Sequence, residues 1–355
     1  MRYLFAAACL LWGFASLSAQ TNVIKKIAAK SNDYGVDYTL PKTSILVRAE
    51  VIKHTVKAGP YARYADKYLG VSNPIQTDRS WYELGALSLT NPGVPDHEQT
   101  YRVEFKPGTT APYVYLTQEG FLCSINAPYS PAGGGEADST AVAAPPKAPV
   151  AMQAMTEEML MAGSVAKQAE VAAKQIYRIR ESRMNILTGE ADNPPADGVA
   201  MKLVIAQLEQ QEKALTRLFT GTSTSQSSYY DFSLVPEGNV DKEVLFRFSE
   251  RLGIVDADDL AGAPVYLNLH ALLPPEQEAP GKDKKDKQSK GLVYNVPAKA
   301  EAEILKGGKS LLKQDVMVVQ FGDKETLANA LFADKKKPVK IYFYPQTGAI
   351  RQIIQ

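Results

Sequence analysis

The chain has 355 residues, enough for two domains that each bury a core, and carries 40 Lys and Arg against 39 Asp and Glu. That balance argues against nucleic acid and against a strongly electrostatic membrane contact, because no basic excess exists to draw a polyanion. Tyrosine is abundant, at 18, and outside one central segment the apolar residues alternate with period two, which points to β structure.

The first twenty residues read as a secretory signal peptide. Arg2 supplies a positive charge, Leu4 to Phe14 is apolar, and Ala15-Ser16-Leu17-Ser18-Ala19 closes the run with small residues. Cleavage is expected after Ala19, so residues 1–19 are leader and the mature chain begins at Gln20, with 39 charges of each sign once Arg2 is gone. Ala6-Ala7-Ala8-Cys9 loosely resembles a lipid-attachment site, but the apolar stretch before Cys9 is short and the better run continues past it. The mature chain would then hold one thiol, Cys123, which forbids an internal disulfide. Phe121 to Ile125 reads as a strand, so a buried, inert thiol is expected there. No later apolar run reaches membrane-spanning length.

A first β unit, residues 20–130, opens with Val36, Tyr38 and Leu40 in alternation. Thr43 to Val56 is a long β-branched stretch with Ile45, Val47, Ala49 and Val51 on one face. Ser80–Leu89 and Tyr101–Phe105 are further strands. Tyr113–Ile125 reads as a hairpin turning at Thr117-Gln118-Glu119-Gly120. Between them one short helix is expected from Pro60, stopped by Gly70, with Tyr61, Tyr64, Ala65, Tyr68 and Leu69 on a single face. The tyrosines either lay that helix on the sheet or form a sugar-stacking platform; packing is the commoner outcome.

Residues 131–150, with three consecutive glycines and Pro145, Pro146 and Pro149, read as a flexible linker. Residues 151–222 are helical. Val165, Ala169, Ala172, Ile176, Ile179, Arg183 and Ile186 step by four and three, a coiled-coil seam that Thr188-Gly189 ends. After Asp192-Asn193-Pro194-Pro195, Asp197 can cap a second helix with the seam Met201, Ile205, Leu208, Glu212, Leu215 and Phe219. So short a break implies an antiparallel helical hairpin. Arg178, Arg180 and Arg183 are read as surface charges, some paired with Glu209 or Glu212, in preference to an anion site.

A second β unit, residues 223–355, has strands at Tyr229–Val235, Val244–Phe248, Val265–Leu269, Leu292–Val296, Val316–Phe321, Val339–Tyr344 and Ala349–Ile354. A solvated, lysine-rich loop lies at 276–290, its acidic residues interspersed. Gly35-Val36-Asp37-Tyr38-Thr39-Leu40-Pro41 and Gly291-Leu292-Val293-Tyr294-Asn295-Val296-Pro297 share one pattern, and each half closes on a glycine-turned hairpin, at Gly120 and Gly348. The fold class is therefore α+β, two antiparallel β units with the helical hairpin inserted between them. Internal duplication is one reading of the shared pattern, and chance recurrence of strand-turn grammar in so short a match is the other.

The motifs of chemistry are missing from the sequence. Lys306-Gly307-Gly308-Lys309-Ser310 lacks the early glycine of a phosphate loop, since Glu303 stands there. His54, His97 and His270 have no metal spacing, and Asp256 with Asp258-Asp259 lacks a calcium-loop pattern. No catalytic, cofactor-binding or metal residue is assigned.

Several segments together resemble one family: Ala58–Gly70, Ile176–Arg183, Leu187-Thr188-Gly189-Glu190, Leu218–Thr222 and Gln320-Phe321-Gly322, with the Gly-aliphatic-x-Tyr start. They are similar to the Bacteroidota secreted domain-of-unknown-function family numbered 4831, over nearly the whole mature chain. The resemblance implies an extracytoplasmic α+β protein and transfers no active site. The expectation is an exported, periplasmic or outer-membrane-associated envelope protein, a non-enzymatic structural or binding component contacting another envelope protein. The alternatives are a glycan- or peptide-acting hydrolase with carboxylates brought together by folding, or a carbohydrate-binding protein using Tyr61, Tyr64 and Tyr68.

Overall fold

A computed structural model describes residues 22–25, 35–104, 114–129, 156–192, 198–272, 291–328, 331 and 339–354. The expected leader with Cys9, the linker at 131–150, the helix break with Asp197 and the loop at 276–290 lie outside the described residues. The structure is a mixed one of antiparallel sheets and few helices. In chain order the strands are β1 (Asn22–Lys25), β2 (Gly35–Thr43), β3 (Ile45–Lys57), β4 (Arg79–Thr90), β5 (Gly93–Glu104), β6 (Val114–Leu116) and β7 (Leu122–Ile125). After the helical block come β8 (Thr222–Leu234), β9 (Val240–Ser249), β10 (Gly253–Val255), β11 (Ala263–Ala271), β12 (Gly291–Lys306), β13 (Lys309–Ala328), β14 (Lys340–Tyr344) and β15 (Ala349–Ile354). The helices are α1 (Ala65–Leu69), α2 (Glu157–Met161), α3 (Val165–Thr188) and α4 (Gly198–Thr220).

Two long bent hairpins run the length of the β part. In the first, β2 continues into β3 past Ser44, whose amide donates to the Pro92 carbonyl at 2.9 Å, and the returning chain pairs as β4 on β3 and β5 on β2. In the second, β12 pairs with β13 across Gly307-Gly308, at φ of 57° and 77°. Positive φ at both central residues is the two-residue turn that matches strand twist, and it explains the glycine pair better than any phosphate loop would. Each hairpin is followed by a short one, β6–β7 and β14–β15.

Three cores result. Sheet β4-β3-β8 faces sheet β10-β9-β11-β12-β13 across Ile45, Val47, Ala49, Val51, Phe246, Val265, Leu267 and Ile304. Ala300 and Ala302, also fully buried, let the two layers approach closely along β12. Sheet β1-β5-β2 and sheet β15-β14-β7-β6 share the second core, with Tyr38, Tyr101, Ile125, Ile341 and Phe343; Leu292 and Leu327 from β12 and β13 enter it too. Two of the four sheets draw strands from both sides of the helical block, because β8 pairs with β3 and β14 with β7. The break between the two β blocks in sequence is thus not a break between sheets.

The third core is helical: Met159, Ala169, Ala172, Ile176 and Ile179 from α2 and α3 meet Leu215, Leu218 and Phe219 from α4. Tyr61 and Ala65 close it from the loop after β3. Here the expected helix differs. Pro60 and Tyr61 lie in a turn, a single 3-10 turn follows at Ala62–Tyr64, and α1 has only five residues. The Tyr61 amide is instead spent on the Leu218 carbonyl, 2.9 Å away, which ties this loop to the end of α4. Among the described residues no helix is long and apolar enough to cross a membrane.

Candidate functional site

The two short hairpins stand side by side because β7 and β14 pair, Ile125 opposite Ile341 and Ser124 opposite Tyr342. Their turns therefore project together. In the first, the Thr117 amide donates to the Phe121 carbonyl at 2.9 Å; in the second, the Gly348 amide donates to the Tyr344 carbonyl at 2.7 Å. Between these turns and the bends of the long hairpins lies a cleft of about 980 Å³. Phe121 and Phe343, both buried, line it, with Pro92, Pro297, Pro345 and Met317 beside them. Tyr344, 53% exposed, forms part of its lining, while Arg351 and Glu119 supply a charge of each sign. The cleft depends on Gly93, where an added Cβ would stand 2.3 Å from the Gln346 carbonyl oxygen. A side chain at that position would push the second turn away.

Tyr129 also lines the cleft and leads to Cys123. Burial pushes the Cys123 thiol above its ordinary value, a shift that the Tyr129 hydroxyl opposes and the Glu119 carboxylate reinforces. The Cys123 side chain is 1% exposed and donates to the Phe121 carbonyl, so it is held as a protonated packing residue rather than a nucleophile. None of the three histidines shares a hydrogen bond or ion pair with it in the described residues.

The other sequence candidates fall elsewhere. Tyr61 is 3% exposed and packs on Phe219 with ring centroids 5.4 Å apart, while Tyr64 and Tyr68 lean on the same helical core. Tyr61 is therefore a packing residue, and Tyr64 and Tyr68 are half-buried beside it. Arg180 Nε meets Glu212 at 2.6 Å, and Arg183 meets Glu212 at 2.9 Å and Glu209 at 3.8 Å, which makes this pair of arginines helix-to-helix bridges. Asp259 caps its own turn, its carboxylate accepting from the Ala261 amide at 2.8 Å. His270 sits 3.2 Å from Asp241 on an exposed flank. Among the described residues no group of three or more His, Cys, Asp or Glu could hold a metal ion.

One grouping was not legible in the sequence. His54 on β3 lies between Ser225 on β8 and Glu83 on β4, with Nδ1 2.9 Å from Ser225 Oγ and Nε2 2.9 Å from Glu83 Oε2. The three are cross-strand neighbours on the outer face of one sheet, 29 and 171 residues apart along the chain. Trp81 stacks on the imidazole at 5.1 Å, and Arg79 covers Trp81 at 4.5 Å. No local spacing could have announced it, since the register of β3 with both neighbours decides which side chains meet.

The chain matches the family described as Domain of unknown function (DUF4831) over residues 34–351. It belongs to that family. No curated protein and no solved structure matches it. In this DUF4831 chain the matched span includes every strand from β2 to β14 and all four helices, so the cleft and the His54 face both lie inside it.

Proposed function

We propose that this protein is an exported, non-catalytic binding component of the cell envelope, periplasmic or outer-membrane-associated, and that its cleft takes an extended peptide segment of another envelope protein. The cleft carries the proposal. Its walls are aromatic and prolyl, the surface that holds prolyl or aromatic side chains of an extended strand with little entropy lost on either side. Arg351 and Glu119 fit a peptide with charged groups flanking its apolar ones. The export half of the proposal rests on the apolar, small-residue-terminated segment before Gln20.

Two structural readings belong with it. The first is that the long hairpins with their short followers are copies of one unit. In support, the Thr39 amide donates to the Gly120 carbonyl at 2.9 Å and the Asn295 amide to the Gly348 carbonyl at 3.2 Å, and these are the matched positions of the two halves. The cleft would then lie where the two copies' turns meet. The second is that α3 and α4 form an antiparallel arm, supported by the Arg180–Glu212 and Arg183–Glu209 bridges and by a common core.

The test is a photo-reactive residue substituted for Tyr344 in intact cells, with the same residue at Leu260, 83% exposed and outside the cleft lining, as control. A discrete adduct with one envelope protein from position 344 alone is expected. Adducts from neither position, or the same adducts from both, would remove the reading.

A hydrolase is the second reading, and Ser225-His54-Glu83 favours it, because an imidazole between a hydroxyl and a carboxylate is the grouping that activates a nucleophile. Weighing against it, cross-strand polar chains of this kind also stabilise open sheet faces without any chemistry. Labelling of Ser225 by an active-site serine reagent, abolished by His54→Ala, would move the function to this face.

A further inference from the structure

Strand β8 is one of the two outer strands of sheet β4-β3-β8, and its 13 residues pair with β3 without one shift of register. Four other ladders, β3–β4, β2–β5, β9–β11 and β12–β13, are each interrupted by a bulge, while the seven-pair ladder β11–β12 lies inside its sheet. Bulges, charges, prolines and short length are the devices by which proteins keep an open sheet edge from pairing with another chain. The remaining edges carry them. Strands β1, β6 and β10 have four, three and three residues; β2 carries Pro41 and Lys42, β4 carries Arg79 and a bulge against β3, β13 carries Lys309, Lys313 and Lys324, and β15 carries Arg351.

By contrast β8 carries none of these devices. Thr222–Leu234 contains no proline, lysine or arginine, and its one charged residue, Asp231, is neutralised by Arg48 on the sheet face, at 2.7 and 2.8 Å. Residues 223–231 are all exposed, and among the described residues no strand pairs with the outer side of β8. An edge of this length without a bulge, with its single charge neutralised and with no partner among the described residues, presents a row of amides and carbonyls on which a second strand can form.

We propose that β8 is a dimerisation strand, pairing antiparallel with β8 of a second copy of this chain about a twofold axis at Ser228. The register follows from geometry. A twofold axis cannot exchange hydrogen-bonded with non-hydrogen-bonded pairs, so some residue must stand opposite itself. Ser228 is the midpoint of Thr222–Leu234, and centring there pairs the whole strand. The pattern of the strand suits that register and makes a copy of itself the fitting occupant. Asp231 comes opposite position 225 of the second copy, a carboxylate facing a hydroxyl, and no two like charges meet. Tyr229, 52% exposed, comes opposite position 227 and diagonal to its own counterpart, so both rings shed water against each other. Sheet β4-β3-β8 becomes one six-stranded sheet across the dimer.

The purified protein at tens of micromolar, measured by light scattering after size exclusion, is expected to have twice the chain mass. Ser228→Lys and Ser228→Glu, at an exposed position, should each run as folded monomers, and mixing the two should restore a dimer because opposite charges then face each other. Under mild oxidation Ser228→Cys should link to itself, its Cα atoms about 5 Å apart, while Ser225→Cys should not. A monomeric wild-type protein overturns the proposal. So does a mixture that stays monomeric, or a Ser225→Cys variant that links as fast as Ser228→Cys.

Discussion

The Tyr38 hydroxyl holds both backbone groups of Val293, donating to its carbonyl and accepting from its amide, each at 3.1 Å. It thereby does for this part of β12 what a neighbouring strand does elsewhere, and it ties the first long hairpin to the second. The ring is 1% exposed and stacks on Tyr101 at 5.6 Å, so water cannot replace the bond. Burial pushes the phenol well above its ordinary value, which keeps it protonated and able to donate. Tyr38→Phe leaves an amide and a carbonyl unpaired and should cost about 2–4 kcal/mol, read from the urea midpoint of the variant.

Glu212 is the hub of the α3–α4 contact, only 15% exposed and accepting from Arg180 and Arg183 together. Glu212→Lys brings three cations together and should destabilise the helical core by about 2–4 kcal/mol. Reversing Arg183 to Glu in the same chain should recover part of that loss. A recovery near zero in this double-mutant cycle would mean the pair contributes nothing.

Acid should loosen the β3–β8 ladder. The Arg48 guanidinium beside Asp231 holds its carboxyl below the usual carboxylate range. A carboxyl depressed in the folded state contributes stability above its unfolded value, about pH 4, and loses it as pH falls through the lower folded value. The stability gap between wild type and Asp231→Asn should therefore be constant from neutral pH to about pH 5 and close below pH 4. A gap that persists unchanged at pH 2 would assign it to something other than ionisation.

Cys123 should resist alkylation in the native protein and react on unfolding. Its side chain is 1% exposed and burial raises its thiol, so the thiolate is scarce and sheltered. Mass spectrometry of the peptide containing Cys123, after iodoacetamide treatment with and without urea, measures this directly. Rapid native labelling would show that the Cys123 thiol is neither sheltered nor inert.

Gly93→Ala should weaken capture at the cleft while leaving the rest of the fold intact. The added methyl meets the Gln346 carbonyl and forces the second turn outward, away from Phe121. The urea midpoint should fall somewhat, and the Tyr344 photo-adduct should fall even under conditions where the variant is fully folded.

Where local pattern reports burial, the sequence was readable. Ile45, Val47, Ala49 and Val51 alternate and are all buried on one face of β3, and Ala169, Ala172, Ile176 and Ile179 lie on the buried side of α3. It misled where burial is absent or small residues dominate. Strand β8 starts at Thr222, seven residues before the expected Tyr229, because its serines and threonines face solvent on both sides and carry no alternation. Strand β12 runs on through Ala298-Lys299-Ala300-Glu301-Ala302-Glu303, a helix-favouring run that the neighbouring strands β11 and β13 hold extended.

By itself the sequence determined the kind of the longer elements and the inward face of most, because a period of two or of 3.6 is written residue by residue. The order of strands in the sheets, the cleft and the His54 contacts were decided by tertiary structure alone. Pairing of β8 with β3 and of β14 with β7 joins segments over a hundred residues apart. Such pairings are chosen by which faces can be buried together, a property of the assembled layers that no stretch of residues carries alone.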